Sequence, residues 1–236
     1  MKGFFLLVAA LAALVAVLVL ISGAVRNDEC SVFPQRERDL CYAGKAANSS
    51  NTVFCSRIIN DGWKADCYTQ IAVINNSFQL CDSVKDEGAR TYCRAKLAMI
   101  NQDSGICAGL GSVYWRDICY SNISVTNSSP FFCYKIATPS DGDKCFDAVA
   151  RQKQDWLLCL EVNDYLSGQR CIYSIAVGSR NEAVCARLDQ KRDEDICYKK
   201  LASVKNDSSV CSNIEVNDAL SRDIFDRCIG FFGNNA

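Results

Sequence analysis

The stretch from Cys55 to Cys107 reads CSRIINDGWKADCYTQIAVINNSFQLCDSVKDEGARTYCRAKLAMINQDSGIC, and its cysteines stand at 55, 67, 81, 93 and 107. The steps between them alternate 12 and 14. Outward from this stretch the same alternation begins at Cys41 and continues through Cys119, Cys133, Cys145, Cys159, Cys171, Cys185 and Cys197 to Cys211 without a slip. The period is therefore 26 residues, and a fixed period in this range marks a stacked repeat architecture.

Other positions repeat with the cysteines. The residue before the first cysteine of each unit is apolar: Phe54, Leu80, Ile106, Phe132, Leu158, Val184 and Val210. Three after it come Ile58, Val84, Leu110, Ile136, Val162, Leu188 and Ile214. Four after the second cysteine stand Ile71, Leu97, Ile123, Val149, Ile175 and Leu201. Five after it, a small residue recurs as Ala46, Ala72, Ala98, Ser124, Ala150, Ala176 and Ala202. These offsets share one helical face and do not fit strand alternation. One after the second cysteine are Tyr42, Tyr68, Tyr120, Phe146, Ile172 and Tyr198, with Arg94 as the exception; their phase puts them at the edge of the buried face.

Each unit therefore reads as an αα-hairpin of two helices of about 8–11 residues. Turns are expected at Asp61-Gly62, Glu87-Gly88, Gly111-Ser112 and Pro139 to Gly142. Between units, Asn75-Asn76-Ser77, Asn101 to Ser104, Asn127 to Pro130 and Asn206 to Ser209 supply an Asn C-cap followed by a Ser or Asp N-cap.

In an antiparallel hairpin, residues equally far from the turn lie at one height. Cys55 with Cys67 straddles Asp61-Gly62, and Cys81 with Cys93 straddles Glu87-Gly88. The competing pairing of Cys67 with Cys81 centres on Ile74, before the Asn75–Ser77 turn, so the 12-spaced pairing is favoured. Cys30 with Cys41 and Cys211 with Cys228 close the ends, and all sixteen cysteines are used. Metal ligation is disfavoured, because no two cysteines are closer than 11 residues and the chain has no histidine. No nucleophile–base pair, phosphate loop or cofactor motif occurs, so neither an enzyme nor a cofactor is expected. Lys plus Arg, 26, nearly balances Asp plus Glu, 27, which gives no electrostatic reason to expect a nucleic acid partner.

The N-terminus sets the compartment. Lys2 precedes an apolar run from Phe4 to Ile21, extended through Ser22, Gly23 and Ala24. The run approaches the ~20 residues that span a bilayer, and its small-residue exit also suits signal cleavage near Ala24. Residues 1–25 are read as a signal anchor or signal peptide, with membrane contact through residues 4–24. Residues 26–236 are read as an extracytoplasmic repeat domain with atypical caps at 30–41 and 211–228. Five sequons, at Asn48, Asn75, Asn122, Asn127 and Asn206, are candidate N-glycosylation sites in an exported chain. Trp63 and Trp115 share a slot that suits cover for the hairpin turn, and Asp193-Glu194-Asp195 reads as a solvated first helical turn.

Paired helices, a fixed small slot and one staple per unit resemble the tetratricopeptide and Sel1-like α-solenoids, over residues 30–228. The period is shorter than the ~34 residues of the tetratricopeptide unit, and its W-L-G-Y signature is missing. The resemblance implies an all-α, right-handed α-solenoid of about seven or eight short, disulfide-stapled hairpins behind one N-terminal transmembrane or signal helix. The expected function is a non-catalytic, membrane-tethered or secreted scaffold for a protein or cell-envelope partner. The alternative is an envelope ligand-binding protein or enzyme with a pocket in the solenoid groove.

Overall fold

The computed structural model describes residues 28–233, whose regular structure is entirely helical. The apolar run Phe4–Ile21, and with it the expected anchor and membrane contact, lies outside the described residues. No helix among the described residues is long and apolar enough to cross a membrane.

Each repeat is lopsided. A short helix of 4–6 residues, such as Thr52–Ser56, Phe78–Ser83 or Glu182–Cys185, is followed by a long one of 14 or 15, such as Asp61–Ile74 or Tyr165–Ser179. Two helices of about 8–11 residues are expected from the sequence, and the N-caps explain the difference. Asn60, Asp86 and Asp164 accept from the N–H groups of Trp63, Ala89 and Ser167 at 2.7–3.0 Å. Asp61-Gly62 and Glu87-Gly88 are therefore not turns but the first residues of long helices. Pro139 begins Pro139–Lys153, a position where its missing N–H costs no helical bond. The apolar residue three after the first cysteine is buried as expected at Ile58, Val84, Leu110, Val162, Leu188 and Ile214 and half-buried at Ile136, but it is not in a helix. Val84, Ile136 and Val162 have extended backbone and lead the chain to the next N-cap.

The long helices end by one device. Ser50, Asn76, Gln102, Ser128, Gln154, Arg180 and Asn206, spaced by the repeat, all have φ of 50–55°. The residue after each donates its N–H back to the carbonyl of the small slot, from Asn51 to Ala46 through Asp207 to Ala202, at 2.9–3.2 Å. This is the six-to-one bond of a Schellman ending. The left-handed residue lies one position later than the Asn expected at 75, 101 and 127, and only Asn76 and Asn206 are asparagine. The donor residue has a second task. Asn51, Asp103, Asp155, Asn181 and Asp207 each accept from the N–H two residues on, at 2.9–3.1 Å, which starts the next short helix. Ending one helix and starting the next are thus compressed into adjacent residues.

The chain divides into two compact units, Met1–Cys93 and Arg94–Ala236. In the first, Cys30, Tyr42, Ala46, Cys55, Ile58, Cys67 and Ile71 form one core, with Trp63 and Tyr68 packed against it. In the second, three clusters follow the chain: about Ala98, Cys107 and Ile123, then Cys133 and Phe146, then a larger one from Ala150 to Cys228. All seven small-slot residues have no exposed surface. Trp115 is half-buried against its cluster, in keeping with a covering role for both tryptophans.

Seven of the eight disulfides bind a short helix to a long one, and the first binds a turn at Cys30 to the long helix Gln35–Ser49. They join Cys30–Cys41, Cys55–Cys67, Cys81–Cys93, Cys107–Cys119, Cys133–Cys145, Cys159–Cys171, Cys185–Cys197 and Cys211–Cys228, with Cα atoms 5.6–5.9 Å apart. This is the 12-spaced pairing, and no cysteine is free. A chain holding eight cystines belongs in an oxidising environment outside the cytoplasm. At the C-terminal end, Cys228 falls one helical turn deeper in Ala219–Gly233, after a longer loop, which accounts for its separation of 17.

One small-slot residue departs chemically from the rest. Ser124 is fully buried and its Oγ has no hydrogen-bond partner. Ser124→Ala removes that unsatisfied hydroxyl and installs the residue found in the other six slots. It should raise stability by about 1 kcal/mol, read from the urea midpoint at unchanged slope.

Candidate interaction sites

A buried carboxylate ties neighbouring repeats together. Two residues before the second cysteine of three repeats stand Asp39, Asp117 and Asp143, nine-tenths or more buried. Each accepts two consecutive backbone N–H groups from the segment that leads into the next long helix. Asp39 takes Ile59 and Asn60, Asp117 takes Ala137 and Thr138, and Asp143 takes Asn163 and Asp164, all at 2.8–3.0 Å. Gln169 does half of this, accepting the Asp189 N–H at 3.0 Å and donating to its carboxylate at 3.1 Å. For Asp117, burial pushes the carboxyl up, but the Ala137 and Thr138 N–H groups and the Thr138 side chain outweigh it. The group stays below the usual carboxylate value.

Asp195 holds the same slot without the clamp. It was expected as part of a solvated turn, yet it is 1 % exposed, and its Oδ1 has no hydrogen-bond partner among the described residues. The reason is the longer loop before Ala219–Gly233. There the N–H groups of Asn217 and Asp218 turn to Ser221 Oγ, at 3.0 Å each, and none reaches Asp195. Lys191 compensates loosely, with its Nζ 3.5 Å from Asp195 and 3.3 Å from Glu194. Burial therefore raises the Asp195 carboxyl, Lys191 opposes this, and the charges of Glu194 and Asp218 add to the rise.

Two consecutive short helices carry exposed apolar side chains at matching places. Phe131 and Tyr134 lie three apart on Pro130–Lys135, and Leu157 and Leu160 hold the same places on Trp156–Glu161, one repeat later. Both segments are 3-10 helices, in which residues three apart share an edge. All four are 55–63 % exposed. The Tyr134 ring meets Phe146 edge-on at 4.8 Å, which holds it upright, and Lys135 lies 5.5 Å from the Phe131 ring centroid. Sequence periodicity could have located this patch, since the short helix has too few residues to bury both edges.

All five sequon asparagines are exposed. Asn75, Asn127 and Asn206 lie where long helices end, whereas Asn48 and Asn122 lie within helices. The Asn127 amide donates to Gln102 Oε1 at 3.1 Å. The aromatics after the second cysteine at 42, 120, 146 and 198 are buried, as their phase implies, while Tyr68 is half-buried and Arg94 is exposed. Within the first unit a groove of about 350 Å³ opens between Asp61–Ile74 and the segment Ser83 to Ala89.

No family model matches the chain, and neither a curated protein nor a solved structure matches it. What stands is a cysteine-rich helical chain with disulfide-paired repeats.

The clamps predict opposite outcomes for one substitution type. Asp117→Asn should cost about 2 kcal/mol at neutral pH, because one accepting oxygen becomes a donor facing an N–H. The wild-type contribution of Asp117 is present above the unfolded carboxylate value and lost as pH falls through its lower folded value. Asp195→Asn should stabilise the protein at neutral pH, since ionising a carboxyl whose folded value is raised opposes folding. That gain should vanish as pH falls below the unfolded value. Thermal unfolding of both variants across pH checks the signs.

Proposed function

We propose that the chain is a non-catalytic scaffold, exported and then tethered through its N-terminal apolar run or released by cleavage, whose repeats wind as a right-handed α-solenoid. Its task on this reading is to dock another protein at the cell surface or envelope. The observation that carries the reading is the patch of Phe131, Tyr134, Leu157 and Leu160. Large apolar side chains repeated at one edge of consecutive short helices, each more than half exposed, bury little of their area within their repeats. Exposed large apolar side chains that recur in this way mark protein–protein contact. Aromatic residues at such a surface supply large area for little ordering entropy.

Charge supports the same reading. Lys135 flanks the patch beside Phe131, and the Tyr134 hydroxyl is raised above its ordinary value by burial first and then by the negative charge of Glu161. An apolar centre with a polar border is the anatomy of a reversible interface. On the same reading the exposed Asn75 and Asn206 are sites for N-linked glycans in a host that makes them, and the disulfides keep the scaffold intact outside the cell.

The test is a photo-crosslinking side chain placed at residue 131 or 160 in the exported chain, with residue 144 as an exposed control. The expected result is a discrete adduct to one protein from the patch positions and none from 144. Replacing all four patch residues with serine should then weaken binding of that purified protein about 30-fold or more, with the eight disulfides and helix content unchanged. Adducts that are absent, or equal at the control position, would overturn the reading, and adducts only to a second copy of the chain would replace the partner with self-association.

A further inference from the structure

The groove of the first unit lies where a carboxylate is missing from the repeat. The clamp slot reads Asp39, Ala65, Thr91, Asp117, Asp143, Gln169 and Asp195 along the chain. By the spacing of the three intact clamps, an acid at position 65 would accept from the N–H groups of Lys85 and Asp86. The receiving segment is built there as elsewhere. The Val84 N–H bonds to Cys81 O at 3.1 Å, as Ile136 does to Cys133 at 3.2 Å and Val162 to Cys159 at 3.3 Å. Val84 has φ −79° and ψ 118°, against −74° and 125° at Ile136 and −77° and 117° at Val162. Cys81 and Cys93 keep the separation of 12 and a Cα distance of 5.6 Å, within the 5.6–5.7 Å of the other internal cystines. Asp86 caps the following helix through Ala89, just as Asp164 caps its own through Ser167.

The same backbone therefore presents the same two donors, and opposite them stands a methyl group. No carboxylate among the described residues accepts from the Lys85 or Asp86 N–H. Instead the groove of about 350 Å³ opens between them and Ala65, floored by Ala65, Tyr68, Val84 and Ala89. Lys64 and Lys85 stand at its rim with Asp61 and Asp86, and the Asp86 carboxylate is already engaged by the Ala89 N–H. Backbone N–H groups are obligatory donors, and a charged acceptor makes the stronger bond with them.

We propose that this groove is a binding site for a carboxylate supplied from outside the chain. Its two oxygens accept from the N–H groups of Lys85 and Asp86, as those of Asp39, Asp117 and Asp143 do in their own repeats. The apolar portion of the ligand lies on Ala65, Tyr68 and Ala89, and Lys64 and Lys85 offset the nearby acids. The ligand is thus a carboxylic acid with a short apolar body, either a free small acid or the carboxylate of a peptide. This site is separate from the apolar patch and does not depend on it.

The test follows the backbone amide resonances of the full chain in detergent while sodium acetate is added, then the capped tripeptide acetyl-Gly-Asp-Gly-amide, against sodium chloride at equal ionic strength. The Lys85 and Asp86 amides should move downfield and saturate with one or both probes, while those of Ala137 and Thr138, already clamped by Asp117, should not. Saturation by acetate identifies a small acid as sufficient, and saturation by the peptide alone identifies a peptide carboxylate. Ala65→Asp should fill the vacancy from within: its melting temperature should rise and the response to both probes should disappear. Lys85 and Asp86 amides that ignore both probes, or that respond unchanged in Ala65→Asp, would overturn the proposal. The wild-type titration decides the matter even should the variant fold poorly.

Discussion

The bond between a one-turn helix and the long helix after it is the constraint on which the rest depends. A segment such as Glu182–Cys185 or Thr52–Ser56 is too short to be stable as an isolated helix, because nucleation costs more than one turn of bonds returns. The disulfide fixes it to the seventh residue of the neighbouring long helix, and closing a loop of this size contributes about 3 kcal/mol in the chain-entropy model. Because the sulfurs are buried, each cystine also supplies core volume that so small a repeat could not gather from aliphatic side chains alone.

Once that link is fixed, the period follows from backbone chemistry. The Schellman ending needs a left-handed residue and then a donor, and the donor at Asp103, Asp155 or Asp207 is already the cap of the next short helix. No spare residue remains in the junction, so none can be added without breaking one of the two bonds. The small slot obeys the same logic. Its carbonyl receives the Schellman bond and its side chain has no exposed surface, so the position is held by geometry on two counts. A left-handed conformation costs an ordinary residue about 1–2 kcal/mol, yet Gln102, Gln154 and Arg180 adopt it, which shows how firmly the junction is determined.

These properties were unequally legible in the sequence. Period, buried faces and cystine pairing could be read because each recurs at a fixed offset and involves residue types with one usual role. The helix lengths could not, because Asp61-Gly62 and Glu87-Gly88 fit a turn as well as a first helical turn. Only the N-cap bonds of Asn60 and Asp86 separate the two. The clamping acids escaped for a different reason. Acidic residues near a helix start are ordinarily solvated, and nothing in the run Asp193-Glu194-Asp195 sets Asp195 apart. The signal was nonetheless present: Asp39, Asp117, Asp143 and Asp195 stand two before a cysteine, a phase shared with the buried stripe.

The repeats also differ where it matters physically. A full clamp joins two repeats only if an acid and two N–H groups arrive together, and two of the chain's departures from that condition are opposite in kind. At Asp195 the acid is kept while the longer loop withdraws the donors, leaving a buried charge that Lys191 meets at a distance. At Ala65 the donors are kept while the acid is gone, leaving a groove. The first arrangement opposes folding at neutral pH and is confined to the last repeat among the described residues. The second leaves no buried charge behind, only donors that open solvent can reach. A repeat protein that must recognise something acidic can therefore do so by deleting one of its own internal acids, which preserves the backbone geometry already built to receive it.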